Sequence, residues 1–391
     1  MMADNVEHVI SYWVMFQKFH SPALGGFAVI SHWLPFLLLS AYAGALADRF
    51  DRRRLIQLGM VLFMAVSVTW GVLFATDTLT PTYAKALLVT HGIAGVLWNP
   101  TSQLLLHDIV GPEQLPSAVR LNATARYLGV FVGPAVGAGL LLLLGPSRGI
   151  LLNALIYLPL TLWLWRAPYG PRSRNPPQAR AAVRGFGDVI ATVRAIGADQ
   201  TIITMTALAG AASLFVGQAY QAQMPGFALD LGHGNPGVAY WALLSADAGG
   251  ALLAGVVLES RGLLQPRART ALVLAMLWCG ALGGFALSGS YALALALLFA
   301  AGFLELSFNA IAQTLVQLNA PALLRGRIIG VFSMASLGLR MFSGITVGIL
   351  GGLVGIHLSL AASTAALLVF LLGLIVWHGR LTSPARVGSG V

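Results

Sequence analysis

Charged side chains are scarce in this chain of 391 residues: they make up 9% of it, against 57% hydrophobic residues. A soluble protein carries roughly 25% charged residues, which cover its water-facing surface. Apolar runs of about twenty residues recur along the sequence, and that is the length of an α-helix that crosses a bilayer. The shortage of charge therefore excludes a soluble fold and predicts an all-α membrane protein. A transmembrane barrel would show short alternating segments instead.

Cysteine is nearly absent as well, and Cys279 lies inside an apolar run. One cysteine provides neither a disulfide framework nor a zinc-thiolate site. The pair His107-Asp108 has no second histidine cluster in the sequence, and His32 and His91 are expected to be lone, hydrogen-bonded packing residues on apolar helices. We therefore expect no metal and no cofactor.

Three motifs of enzymes and pumps are also missing. The sequence contains neither H-E-x-x-H nor G-x-S-x-G, which argues against a membrane-embedded enzyme. It contains no G-x-x-x-x-G-K-[ST], so ATP is not expected to be a direct energy source.

The net charge of +10 does not indicate nucleic-acid binding, because the basic residues lie between apolar runs. Eighteen of them fall in alternate loops and the tail, against three on the other side, Lys18, Lys85 and Arg148. Basic residues collect on the cytoplasmic side of membrane proteins. The bias predicts a multi-pass protein of the cell (inner) membrane with both termini in the cytoplasm.

Twelve membrane spans are predicted in two sets of six. Residues 1–166 form the first half, 167–199 a linker, and 200–391 the second half with a short tail. The predicted spans are 4–20, 24–47, 54–75, 82–107, 115–144, 148–166, 200–224, 237–259, 270–288, 290–316, 325–351 and 357–379.

The two halves repeat one another in sequence. Asn99 matches Asn309, and Gln103 matches Gln313, both at an offset of 210 residues. Two related six-helix halves are typical of secondary transporters, in which the substrate binds at the midplane between the halves. The sequence therefore predicts a pseudo-two-fold axis and a transport function.

The linker opens with a stretch rich in proline and arginine, APYGPRSRNPPQAR. Apolar residues then recur at helical spacing, which predicts an amphipathic helix at the membrane surface, with a disordered linker as the alternative. These residues are Val183, Phe186, Val189, Ile190, Val193 and Ile196.

The stretch GALADRFDRRRL, residues 44–55, concentrates six charges between two apolar runs. It resembles the loop after the second span of the major facilitator superfamily, G-x-L-A-D-R-x-G-R-K-x-x-L. The matching residues that we take as a gating motif are Gly44, Asp48, Arg49, Arg52 and Arg53, with Asp108 as their partner; Asp51 replaces the usual second glycine. The resemblance implies a cluster that braces one conformation and breaks in the other. The alternative is that the arginines only set the topology.

Within the superfamily the chain looks closest to the drug-proton antiporter branch that includes the enterobactin exporter. The segment RYLGVFVGPAVGAG resembles the antiporter motif of that branch, and the segment TLVQLNAPALLRGRIIGVFS supports the placement. Glycines four residues apart let another helix approach closely. The predicted packing residues are Gly129, Gly133, Pro134 and Gly137 in span 5, and Gly344, Gly348 and Gly352 in span 11.

Ionisable residues inside membrane spans are costly, so each is a functional candidate. The proton-coupling candidates are Asp4, Glu7, Asp247 and Glu305, and Arg126 and Arg340 are expected to pair with buried acids. Glu305 shares a helix face with Asn309 and Gln313, which is expected to line a central cavity. The other cavity candidates are Trp98, Asn99, Gln103, Gln218 and Gln221.

The favoured function is a proton-coupled exporter of a small amphipathic molecule, such as a drug or a siderophore. It is expected to work as a monomer in a lipid bilayer, with a small-molecule substrate as its partner. A lysophospholipid transporter is an alternative, because some members of that group also carry an Asp-Asn pair in span 1, as Asp4-Asn5 does here. A non-transporting receptor on the same fold is a further alternative.

The first span has an apolar run of about 11 residues, from Val9 to Phe19, which is too short to cross a bilayer alone. Family members usually carry further residues upstream. The resemblance therefore implies that the span is truncated at its N-terminus and begins inside the membrane layer.

Overall fold

The computed structural model describes residues 1–19, 22–169, 186–197, 199–217, 219–231, 236–261 and 266–382. These residues form helices and connecting turns. We use the terms first half for residues 1–166 and second half for residues 200–391, and their division into two related units stays a prediction. The helices before residue 200 are α1 (Met2–Phe19), α2 (Pro22–Arg49), α3 (Arg52–Ala75), α4 (Pro81–Ile156), α5 (Leu158–Arg166) and α6 (Phe186–Ile196). Those of the second half are α7 (Gln200–Phe215), α8 (Ala219–Asp230), α9 (Pro236–Arg261), α10 (Ala268–Leu287), α11 (Tyr291–Asn319), α12 (Arg325–Ser333), α13 (Arg340–Ser343), α14 (Leu350–Val354) and α15 (Ile356–Thr382).

Eight helical stretches of the described residues are long and apolar enough to cross a membrane. They are Ile30–Arg49, Arg52–Ala75, Val132–Arg166, Gln200–Gln221, Ala268–Leu287, Tyr291–Asn319, Arg325–Val354 and Ile356–Trp377. The chain is therefore an all-helical, multi-pass membrane protein. The count of twelve spans stays a prediction.

The helix α4 contains two breaks. Its 76 residues are interrupted at Gly111 and Gly145, where the backbone φ is 72° and 75°. Glycine adopts such positive φ angles without strain, and a proline follows each break. The segment after Gly145 folds back, so that Gly149 lies against the Leu140 carbonyl of the preceding segment.

Three predicted spans are interrupted in the structure. The predicted span 148–166 is divided between α4 and α5 at Tyr157, and the predicted span 200–224 between α7 and α8, with Gly217 at a φ of 50°. The predicted span 325–351 contains two π-helical segments, Met334–Gly338 and Gly344–Ile349. Stretches in all three remain long and apolar enough to cross a membrane. The interruptions themselves are not predicted by the sequence, because local backbone changes of this kind leave its apolar pattern intact.

In the linker, α6 covers the described part of the predicted amphipathic helix and packs against α12. Thr192 and Ile196 are buried, whereas Ile190 and Val193 are about half exposed. Val183 lies outside the described residues, as does most of the Pro/Arg-rich stretch. The location of α6 at a membrane surface stays a prediction.

The two halves meet most closely where α2 crosses α12. Gly326 lies against the backbone of Gly44, and Gly330 lies against the backbone of Ser40 and Ala41. Eight residues further along the chain, at the end of the π-helical segment Met334–Gly338, Gly338 lies against Leu37. These glycines let the two backbones approach without intervening side chains.

A second contact between the halves lies nearby, between α4 and helices α9 and α11. Gly255 of α9 lies against the Thr124 side chain of α4. A buried apolar cluster joins the same elements, formed by Leu115, Val119, Ala251, Ala254, Leu306 and Ala310. The halves are therefore packed together at the end of the molecule that carries the charged stretch 44–55.

The two predicted glycine series behave differently. In α4, Gly129, Gly133 and Gly137 lie against the first two turns of α1, so the predicted close approach of a helix is present. Pro134 follows Gly133 and faces the central cavity described below.

By contrast, Gly344, Gly348 and Gly352 have no described atom within contact distance of an added Cβ. The prediction that they pack another helix is wrong. The π-helical segment Gly344–Ile349 has a different winding from the α-helix on which the prediction is based, so the faces of this span are displaced from those expected.

We predict that Gly330→Ala destabilises the folded protein by about 1–3 kcal/mol, the usual cost of adding a methyl group to a packed interior. The added Cβ would meet the α2 backbone, which cannot rotate away. The measurement is the thermal unfolding midpoint of the purified protein in detergent. Gly348→Ala is the matched control and is expected to leave the midpoint unchanged; equal midpoints for the two variants would contradict the packing described here.

Candidate functional site

Asp48, at the end of α2, caps the N-terminus of α12 in the other half of the molecule. Its Oδ1 accepts a hydrogen bond from the Gly326 amide at 2.9 Å, and its Oδ2 accepts one from the Arg327 amide at 3.3 Å. The first amide groups of a helix have no partner within the helix, and their partial positive charge favours a carboxylate. Asp48 therefore holds the two halves together by charge as well as by packing.

Arg52 ties the same cluster to α4. Its guanidinium group is buried. It lies 2.6 Å from Asp108 Oδ1 and 3.8 Å from Asp48 Oδ1. It also donates to the backbone carbonyl groups of Ala47 and Leu104. One arginine thus joins α2, α3 and α4, and the contact with Asp108 that the sequence suggested is present.

The other arginines of the stretch make more local contacts. Arg53 pairs with Asp51 at 2.8 Å, and Asp51 in turn caps the N-terminus of α3. Arg53 also donates to the carbonyl of Ala167, and Arg49 stacks on the ring of Phe50. Asp51 therefore replaces the expected glycine without loss of a defined turn, because it supplies a helix cap.

A central cavity of about 600 Å³ lies between the two halves. A smaller cavity of about 180 Å³ adjoins it and shares Asp4, His32, Trp33 and Arg126 with it. The volume of the larger cavity suits a small-molecule ligand.

Most of the predicted cavity residues do line these cavities. Gln103, Gln221, Asn309 and Gln313 face the larger one, and Trp98 and Asn99 face the smaller one. Gln103 also donates to the Asn99 side chain at 2.9 Å. Gln218 lies outside the described residues.

Two buried carboxyl groups of the second half share one tyrosine. The Tyr220 hydroxyl lies 3.2 Å from an oxygen of Asp247 and 3.2 Å from an oxygen of Glu305. Gln221 donates to Asp247 at 2.9 Å. Asp247 lines the central cavity, whereas Glu305 is buried and is not among the residues that line it. Glu305 is instead connected to the cavity wall through the Tyr220 hydroxyl, which contacts both carboxyl groups.

The acidic residues of α1 meet a group of histidines. Glu7 is buried and lies 2.7 Å from His91 Nδ1, while Asp4 Oδ1 lies 2.6 Å from His91 Nε2. The His32 ring centre lies 5.7 Å from that of His91. The expectation that His32 and His91 are lone histidines is therefore wrong. They are distant in sequence, and only the packing of α1 against α2 and α4 brings these groups together.

Arg126 and Arg340 both face the central cavity. Arg340 donates to the Ser336 carbonyl at 3.2 Å and lies over the Trp33 ring, 5.3 Å from its centre. Among the ion pairs of the described residues none involves Arg340, so its predicted pairing with a buried acid is not found. The aromatic face provides favourable electrostatics in place of a carboxylate.

Sequence reasoning missed two contributors to this site. Tyr220 carries no sequence signal, because a tyrosine in an apolar helix is ordinary. His8 is a candidate by sequence, as an ionisable residue inside the first span, but its histidine neighbours are not apparent from the sequence. The series Gly326, Gly330 and Gly338 has a readable spacing, since its members are four and eight residues apart.

A family model described as transmembrane secretion effector, of the MFS type, matches residues 2–384. The staphyloferrin A transporter of Staphylococcus aureus is 25% identical over 146 residues, 37% of this chain and 37% of the relative. An MFS-type transporter of Sinorhizobium fredii is 27% identical over 246 residues, 61% of this chain and 58% of the relative. The matched regions thus span less than two thirds of these relatives.

Solved structures are similar over nearly the whole chain. The human organic anion transporter MFSD10 (TETRAN) superposes with a TM-score of 0.73 at 13% identity, covering 96% of this chain and 97% of its own. The Escherichia coli fucose:proton symporter FucP superposes with a TM-score of 0.71 at 12% identity, covering 98% of this chain and 97% of its own. At such low identity the likeness shows a shared fold.

We predict that Asp48→Asn weakens the closed contact between α2 and α12 without preventing folding. A hydrogen bond to a charged group contributes about 1.5–3 kcal/mol, which corresponds to a shift of roughly 10- to 100-fold in the conformational equilibrium. Spin labels on Phe50→Cys and Leu323→Cys, in a Cys279→Ala background, would report the distance between the halves. Both label sites are about half exposed.

The matched control is Asp77→Asn, which changes an exposed acid paired with Lys18. We expect a longer and broader distance distribution for Asp48→Asn alone. If the distribution and the folding yield both equal those of the unchanged protein, the stretch is only a topology signal.

Proposed function

Because the chain belongs to the transmembrane secretion effector family of the major facilitator superfamily, we propose that it is a proton-coupled exporter of a small amphipathic molecule. Transporters of this family are not enzymes, so the enzyme alternative is excluded. Their substrates are small molecules, and they act within a lipid bilayer.

The observation that supports proton coupling is the pair of buried acidic side chains on either side of the Tyr220 hydroxyl. Asp247 and Glu305 are both buried, and one hydroxyl group can donate to only one of them at a time. Two negative charges so close together in a poorly solvated place repel each other strongly, which favours the pair when it shares one proton. Asp247 lies on the cavity wall, where a bound solute could change that balance.

The contacts between the halves support alternating access. The Asp48 contact, the glycine crossing and the buried apolar cluster around Leu115 and Ala251 together close one end of the molecule. At the opposite end, a cluster that includes Val6, Leu24 and Leu79 consists of residues of the first half alone. We propose that the structure is the state closed at the arginine-rich end, and that the Asp48 contact breaks in the other state.

The proposed substrate class is supported by the residues that line the cavity and by the name of one matched relative. The cavity combines amide groups, carboxylates, arginines and aromatic rings, which suits an amphipathic molecule with ionisable groups. The matched Staphylococcus aureus protein is a siderophore transporter by name, and this supports a drug or a siderophore as the exported solute. No contact favours the lysophospholipid alternative, since Asn5 donates to the Met1 carbonyl within its own helix.

The arrangement in the membrane is part of the proposal. Twelve spans in two related halves, residues 1–166 and 200–391 joined by a linker, agree with the positive-inside bias and with the fold of the solved structures. In this arrangement the charged stretch and both termini lie in the cytoplasm, and the protein works as a monomer in the inner membrane.

The test uses proteoliposomes with an acidic interior and a trapped pH-sensitive dye. The added solutes are ethidium, enterobactin and lysophosphatidylcholine, one at a time. We expect ethidium or enterobactin to stimulate proton efflux as it is taken up. Stimulation by the lysophospholipid alone would favour the alternative function, and solute uptake without proton movement would contradict proton coupling.

In the same assay, Glu305→Gln is expected to reduce solute-stimulated proton efflux to the level of liposomes without protein. Solute binding, followed by tryptophan fluorescence, should persist, because Glu305 does not line the cavity. The matched control is Glu113→Gln, an exposed acid that should leave efflux unchanged. Normal efflux in Glu305→Gln would exclude this residue from coupling.

A further inference from the structure

Four potential metal ligands of the first half converge at the wall of the central cavity. Asp4 and His8 come from α1, His32 from α2 and His91 from α4. One ligand atom of each residue can be chosen such that all four lie within 4.8 Å of one another. A bound ion would need only small side-chain rotations to bring them to coordination distance.

The histidine rings pack against one another edge to face or at a tilt. The His8 ring centre lies 5.0 Å from that of His32 and 4.9 Å from that of His91. The Nδ1 atom of His32 is buried and has no hydrogen-bond partner among the described residues. A buried polar atom without a partner is unfavourable, and a metal ion would satisfy it.

Behind the cluster, Glu7 is placed to orient His91. It accepts from His91 Nδ1 at 2.7 Å and from the Ser67 hydroxyl, and the amide of Asn153 donates to Ser67 at 3.3 Å. A carboxylate on one ring nitrogen orients a metal-binding histidine, and the other nitrogen, here Nε2, is the one that would bind the metal. In the structure His91 Nε2 lies 2.6 Å from Asp4 Oδ1, so a metal ion would replace the proton that these two members of the cluster share.

We propose that Asp4, His8, His32 and His91 bind a divalent transition-metal ion. Three imidazoles and one carboxylate form a donor set that suits zinc, cobalt or nickel, whereas magnesium and calcium prefer oxygen ligands alone. The site lies within a membrane-spanning protein, where a cluster of ionisable groups without a function is unfavourable.

The ion reaches the site from the central cavity, because Asp4, His8 and His32 line that cavity. Arg126 and Arg340 line it as well, so an anionic chelator could occupy the cavity while its metal ion is bound by the cluster. The free ion and the ion of a metal chelate share the same coordination chemistry at the site, and the experiment distinguishes these two sources.

The test is metal binding at equilibrium by the full chain, purified in detergent without a polyhistidine tag and stripped with a chelator. Zinc chloride is titrated by calorimetry, and cobalt(II) is followed by its visible absorption bands. We expect one ion per chain, a cobalt spectrum of a four-coordinate nitrogen and oxygen site, and a zinc-dependent rise in the thermal unfolding midpoint. Radiolabelled nitrilotriacetate, added with and without zinc, shows whether a chelator is retained with the ion.

Single substitutions assign the ligands. His32→Gln and His91→Gln should abolish the cobalt bands, and Glu7→Gln should weaken zinc binding by about 10- to 100-fold, as is usual for a residue that orients a ligand. The matched control is His357→Gln in the second half, whose Nδ1 contacts the Ala286 carbonyl; it should bind zinc as the unchanged protein does. If a variant fails to fold, the unchanged protein still decides the question through its stoichiometry and its cobalt spectrum.

Absence of stoichiometric zinc and cobalt binding by the unchanged protein would overturn the proposal. Full binding by His32→Gln and His91→Gln would overturn it too. Retention of nitrilotriacetate with the ion identifies a chelate as the bound species, and binding of zinc alone identifies the free ion. The experiment measures metal binding and no transport. A negative result would therefore contradict the metal site alone and would not bear on proton-coupled export.

Discussion

The low polarity of a membrane interior is the constraint on which the rest of this structure depends. A charged or strongly polar side chain there needs a partner within the protein, because no water is available to solvate it. The described residues meet this need at three places: the cluster around Asp48, the acids around Tyr220, and the histidines around Asp4. Each place lies at the contact between the two halves or at the central cavity between them. The buried polar groups therefore coincide with the proposed gate and the proposed binding sites.

The gate shows how packing and charge depend on one another. Asp48 reaches the N-terminus of α12 only because α2 and α12 cross with their backbones in contact, and Gly44, Gly326 and Gly330 allow that crossing. The crossing in turn is oriented by the hydrogen bonds that the Asp48 carboxylate accepts from the first amides of α12, beside a small apolar cluster of Ala47, Leu104 and Ile329. Such a contact can be formed in one conformation and absent in another at moderate cost, which is the property a gate requires.

Each buried polar group lies beside a close contact between a glycine and a neighbouring backbone. Gly92 lies against the Ser31 backbone, and Gly302 lies against the Asp247 backbone. Beside the first contact lies the histidine group with Asp4 and Glu7, and beside the second lie Asp247 and Glu305 with Tyr220 between them. The close helix contacts thus bring the polar groups within hydrogen-bonding distance of one another.

The sequence by itself determined the class of protein, the positions of most helices and the motif at Asp48, because hydrophobic runs, loop charges and short motifs are local properties of the chain. Tertiary structure alone decided which polar groups meet. His91 and Glu7 are 84 residues apart, and Tyr220 and Glu305 are 85 apart. It also decided that Gly330 packs a helix while Gly348 does not, since π-helical winding changes the face on which a residue lies. Contacts of this kind depend on how helices cross, which a one-dimensional pattern does not encode.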